Sequence, residues 1–197
     1  MAIVPPNVLL GLASADPDKR RTAALSVVDR VGNTQPGCDL PLHQRATAVL
    51  AEEWQRIGAE RERVIGELAR AMVDRKTDLV AVNVLAYALA TAGEDGLTEL
   101  LPLLSHETFW IRAYAAEGLG SLDNRARWAV PALCQALSAC ISDWTAYTIM
   151  RALGNIGGDD AMLILQAIGR RARSAQTPDK HLIEAIEAAL AAAYMQL

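Results

Sequence analysis

The sequence predicts an all-α chain, a helical solenoid of about 10–11 helices. Three observations carry that expectation. Trp110, Leu119 and Gly120 return as Trp144, Leu153 and Gly154, each 34 residues later, and self-similarity at such a period marks helical-repeat architectures. Apolar residues make up 52% of the chain but aromatics only 5%, so Ala and Leu, both strong helix formers, carry the core rather than the β-branched and aromatic residues of sheets. Apolar positions also fall at helical spacing, as at Ile111, Ala115, Leu119 and Leu122, with Gly, Asp and Asn at the breaks.

Taken in order, residues 6–14 form the first helix. Ala13-Ser14-Ala15 looks like a signal-peptidase site, but the segment lacks a basic start and Pro5-Pro6 interrupts its apolar run, so it reads as helix rather than leader. Asp16-Pro17-Asp18 opens the helix over 17–31. The loop 33–41 is the longest irregular stretch, and the helix over 42–57 has no partner in the repeat frame. An inserted helix or a phase break is therefore expected near 33–60. Helices over 60–75 and 78–92 end at Gly93-Glu94-Asp95-Gly96, which leads into 95–105. The helix over 108–122 ends at Asp123-Asn124. Pro102 and Pro131 are 29 residues apart where the rest of the block is spaced by 34, so the helix over 126–139 is expected to be about one turn longer than its counterpart. The helix over 143–156 stops at Gly157-Gly158-Asp159-Asp160. The next, 159–174, closes on Arg170, Arg171 and Arg173, whose charges suit a helix C-terminus. Thr177-Pro178-Asp179 opens the last, 178–195. No linker separates two domains, and a single domain over 1–197 is expected.

The pattern D-P-D-x-R-x-x-A-A at Asp16 to Ala24, and W-I-R-A-Y-A-A-E-G-L-G at Trp110 to Gly120, resembles HEAT-like repeats of the short type first noted in phycobilisome lyases. The resemblance is good over 95–173, fair over 6–31 and 78–92, and weak over 33–75. It implies a right-handed α-α superhelix whose second helices line the inner face, with an Arg of the second helix joining a ladder between repeats. Arg20 and Arg112 match that Arg, while Val82 and Ala146 interrupt the series. The resemblance does not imply one function, since such repeats occur in scaffolds, adaptors, chaperones, bilin lyases and some enzymes.

Bulk properties exclude several function classes. A net charge of −4 gives no support to general nucleic-acid binding, which depends on counterion release by cationic surfaces. Cys38, Cys134 and Cys140 are odd in number and include no C-x-x-C, so buried free thiols in a reducing cytoplasm are expected rather than disulfides or a zinc site. No run approaches the length of a membrane span. The motifs H-E-x-x-H, G-x-S-x-G, the Walker loop and G-x-G-x-x-G are absent. His106-Glu107 invites comparison with HEAT-repeat iron hydroxylases, which use several His-Glu pairs. One pair, in a turn, supplies too few ligands. No catalytic residue, metal or cofactor is therefore expected. Acidic pairs such as Glu52-Glu53 and Asp159-Asp160 read as solvated charge.

Six of the nine aromatic residues lie within 109–147. Trp110, Tyr114 and Glu117 fall on the side of one second helix away from Ile111 and Leu119, and Trp144, Tyr147 and Arg151 lie likewise on the next. These six are the candidate partner-binding residues, because Trp, Tyr and Arg most often anchor interfaces. The alternative is that the Trp rings pack between repeats. The expected function is a non-catalytic scaffold or adaptor that grips a protein partner, with a homodimer as another use of the same patch. Other expectations are a bilin-lyase-like or chaperone-type protein acting on a chromophore or client, and a DNA glycosylase using Trp110, Trp144 and Asp143, which the overall acidity disfavours.

Overall fold

The computed structural model describes residues 7–32, 42–138, 143–175 and 179–196. Among them are eleven α-helices and no strand, so the chain is all-α, as its sequence predicts. The helices are α1 (Val8–Leu12), α2 (Pro17–Gly32), α3 (Leu42–Gln55), α4 (Arg61–Val73), α5 (Leu79–Thr91), α6 (Glu94–Leu103), α7 (Phe109–Gly120), α8 (Val130–Ser138), α9 (Asp143–Ile156), α10 (Asp159–Arg173) and α11 (Lys180–Tyr194). The loop expected over 33–41, together with Cys38, Cys140, Pro5-Pro6 and Thr177-Pro178, lies outside the described residues. The chain divides into two compact units, Met1–Pro102 and Leu103–Leu197.

In the first unit α1 packs on α2 and α4 on α5, and α2 lies beside α5. Leu9, Leu12, Leu68, Leu85 and Leu89 are fully buried among them, and each such side chain contributes about 1.5–3 kcal/mol by leaving water. Helix α1 is shorter than the residues 6–14 expected. It starts where the Asn7 side chain accepts from the Leu9 amide at 2.8 Å, the bond of an N-cap. Helix α3 lies against α2 and α5. Two of its side chains hold it on the last turns of those helices, where backbone carbonyls lack a helical partner. Arg45 donates to the Val31 carbonyl at 2.9 Å, and the Trp54 indole N–H donates to the Ala88 carbonyl at 2.9 Å. The Arg61 guanidinium lies 4.8 Å from the Trp54 ring centroid.

Glu53 departs from the expectation of solvated charge. It is 3% exposed, and it accepts from the Val8 amide at 3.3 Å, Arg30 at 2.9 Å and Arg56 at 3.0 Å. It is buried because it supplies the acceptor that the start of α1 needs, at the junction of α1, α2 and α3.

Arg20 and Arg112, matched by the repeat frame, do the same work. Each sends Nη1 back to the two carbonyls six and five residues earlier. Arg20 bonds Ser14 at 2.9 Å and Ala15 at 3.2 Å; Arg112 bonds His106 at 2.7 Å and Glu107 at 2.9 Å. The conserved spacing thus closes the turn before each helix. Arg20 is only 2% exposed and also meets Asp74, on the far side of α4, at 2.6 Å.

In the second unit α7, α9 and α11 lie side by side, and α8 and α10 pack behind α9. The repeated glycines explain the close approach. A methyl group on Gly120 would stand 2.7 Å from the Ala152 Cα, and one on Gly154 would stand 2.5 Å from the Ala189 carbonyl oxygen. The extra turn expected in the helix over 126–139 is present as a 3₁₀ segment, Asp123–Ala129, and α8 itself has only 9 residues. Pro131 has no N–H to give the Arg127 carbonyl, so α-helical bonding cannot run back through it. The Val130 amide bonds that carbonyl in the 3₁₀ manner instead.

Gly154→Ala should destabilise the protein by about 1–3 kcal/mol in chemical denaturation, through overpacking against α11 backbone. Gly66→Ala, inside α4 with nothing near its added methyl, should stabilise it by about 0.5–1 kcal/mol. A second expectation concerns pH. The Lys76 backbone N–H, and after it Arg20, hold the Asp74 carboxyl below its ordinary value of 3.8, against an opposing effect of burial. A depressed folded pKa contributes stability that is present above 3.8 and is lost as pH falls through the lowered folded value. The stability gap between the natural protein and Asp74→Asn should therefore narrow in denaturation measured at pH values below 3.8.

Candidate functional site

The six candidate residues all lie in the second unit, on the face made by α7, α9 and α11. The helical period puts Ile111, Ala115 and Leu119 of α7 into the core, which leaves Trp110, Tyr114 and Glu117 toward the surface. Helix α9 repeats the arrangement: Ile149 and Leu153 are buried, while Trp144, Tyr147 and Arg151 are not. Trp110 is 39% exposed and Trp144 42%. The rings are thus partly on the surface rather than sealed between helices.

The two tryptophans are repeat-equivalent but do not touch as a pair. Phe109 lies between them, its centroid 5.0 Å from the Trp110 ring and 5.9 Å from the Trp144 ring, both edge-on. Tyr114 meets Trp144 edge-on at 5.6 Å. These are the favoured geometries for rings with a negative face and a positive edge. Burial raises the Tyr114 hydroxyl pKa, and the Glu117 carboxylate adds to the rise. The Thr145 hydroxyl donates to the Phe109 carbonyl at 3.2 Å and ties the start of α9 to the start of α7. Phe109 is the residue that sequence reasoning left out. Its position just before the repeated Trp was visible, but it has no counterpart in the next unit to mark it.

Trp144, Tyr147, Thr148 and Arg151 form one wall of a cleft of about 320 Å³. The other side is Ala185, Ala188, Ala189 and Ala192 of α11, small enough to leave the space open. The Thr148 hydroxyl is turned inward to the Trp144 carbonyl at 3.0 Å. Arg151, 60% exposed, reaches Glu117 across α7 and α9 at 3.1 Å; Glu117 is the more buried partner, at 21%. Trp110 and Tyr114 stand on the α7 side of Trp144, outside this cleft. The structure therefore splits the candidates into an aromatic cluster between α7 and α9 and a cleft between α9 and α11, joined at Trp144. The side chain of Asp143 lies outside the described residues.

No family model matches the sequence, and no curated protein does. Among solved structures, the fold is similar to human deoxyhypusine hydroxylase in complex with glycerol. The TM-score is 0.52 at 19% identity, over 97% of this chain and 81% of that one. The likeness is one of fold. It corrects the expectation of a non-catalytic scaffold or adaptor, because the fold on which that expectation rested is here the fold of a hydroxylase. A helical-repeat architecture accommodates chemistry as readily as passive binding.

The residues do not fit the several His-Glu pairs of the iron hydroxylases with which His106-Glu107 was compared. His106 stands in the turn before α7 with Nδ1 accepting from the Thr108 amide at 3.1 Å. Among the described residues no group of three or more His, Cys, Asp or Glu is placed to hold a metal ion. Among the described residues no helix is long and apolar enough to cross a membrane.

A double-mutant cycle on Phe109 and Trp144, each changed to Leu, should give a coupling of about 0.5–1.5 kcal/mol. The same cycle on Trp110 and Trp144 should give a coupling near zero, since those rings meet only through Phe109. Denaturant titration reads both.

Proposed function

We propose that the second unit carries the substrate site of an enzyme, and that the cleft between α9 and α11 holds a small, flat, apolar organic molecule for reaction. The cleft itself carries this reading. An aromatic wall of Trp144 and Tyr147 faces a floor of alanines across about 320 Å³, and small-molecule sites are clefts of this kind, mostly apolar with a few placed polar groups. The lining residues that can supply such groups are Tyr147 and Arg151. They suit orientation, proton transfer and the stabilisation of negative charge. An enzyme of the same fold, deoxyhypusine hydroxylase, and the occurrence of lyases among the short HEAT-like repeats that the sequence resembles both favour a catalytic reading. A reducing cytoplasmic setting suits Cys134, a free thiol.

Ala188→Leu tests the reading. Ala188 is exposed at the edge of the cleft, so the larger side chain should fill the space while the helical circular dichroism stays unchanged. The natural protein, incubated with an extract of small apolar metabolites, should consume some and form others by mass spectrometry, and Ala188→Leu should abolish those changes. Identical profiles from the two proteins would sink the proposal.

A further inference from the structure

We infer that the molecule held in this cleft bears a carboxylate, and that Arg151 receives it. The inference rests on reading the cleft as a substrate site and deepens it. Trp144 and Arg151 stand two turns apart on α9, and both line the cleft.

Arg151 is equipped for the task in three ways. It lines the cleft while its guanidinium stays largely in solvent, at 60% exposure, so a ligand can reach it. A guanidinium has five N–H donors, and Arg151 pairs with Glu117 from Nη2 at 3.1 Å. That pair also fixes the side chain: Glu117 is the less exposed partner and sits on the neighbouring helix. The planar fork of Arg matches a carboxylate by two parallel hydrogen bonds. The rest of the cleft wall and floor, Trp144, Tyr147, Thr148 and four alanines, carries no charge. Glu117 balances the Arg151 charge, so a carboxylate on an otherwise apolar molecule is recognised here by the geometry of the guanidinium fork.

The probes are 1-pyrenebutyric acid, a flat ring system with a carboxylate on a short chain, and its methyl ester. Fluorescence anisotropy of the pyrene reads binding to the full chain. The natural protein should bind the acid about three- to tenfold more tightly than the ester at low salt, in line with an exposed charge pair. That preference should fade as salt is added. Arg151→Met should bind acid and ester equally, and Arg151→Lys should keep part of the preference. Ala188→Leu should weaken both probes. Equal binding of acid and ester by the natural protein, with both lost in Ala188→Leu, would overturn the carboxylate inference and leave the substrate site standing. Binding of neither probe, or binding that Ala188→Leu does not change, would overturn both.

Discussion

Close packing of helix backbones is the constraint on which the second unit depends. Gly120 lies against Ala152, and Gly154 lies against Ala189, with no room for a methyl group at either glycine. Because a buried Gly costs backbone entropy inside a helix, two of them at the same place in successive repeats are retained for what they permit. They let α7, α9 and α11 lie flank to flank, and the side chains above the contact then form one face. Trp144 and Arg151 both sit on α9, the helix shared by the two glycine contacts. Its position sets the distance from Trp144 to Phe109 and Tyr114 on one side and to the alanines of α11 on the other.

The first unit solves a different problem. It must hold α3 against both α2 and α5. Burial of Leu50 and Trp54 supplies the apolar part of the solution. Direction comes from donors on α3 that find the carbonyls left over at the ends of α2 and α5. Glu53, at the end of the same helix, does the reverse and offers a buried acceptor to the first amide of α1. Helix ends are thus the joints of this unit, because they are where the backbone still has unpaired polar groups.

Much of this organisation is legible in the sequence. The eleven helices of the described residues lie within a few residues of where apolar spacing and Gly, Asp and Asn breaks put them. Arg20 and Arg112 were matched by spacing, and both clasp the turn before their helix. What they grip was not legible, because a carbonyl five or six residues back leaves no side-chain signature. The 3₁₀ bond from the Val130 amide to the Arg127 carbonyl follows from Pro131, which has no N–H to offer that carbonyl. The non-catalytic role drawn from the architecture did not hold, since one fold hosts many functions.

By itself the sequence determined the all-α class, the repeat and the candidate residues, because these depend on local periodicity and composition. Tertiary structure decided which of the candidates act together. It placed Phe109 between two repeat-equivalent tryptophans, turned Glu53 from surface to interior, and separated the aromatic cluster from the cleft. The alanines of α11 read in sequence only as helix formers. They become the floor of a site because Gly154 lets α11 come up against α9. Whether a small side chain is filler or cavity wall depends on what stands opposite it, and that is set by contacts distant in sequence.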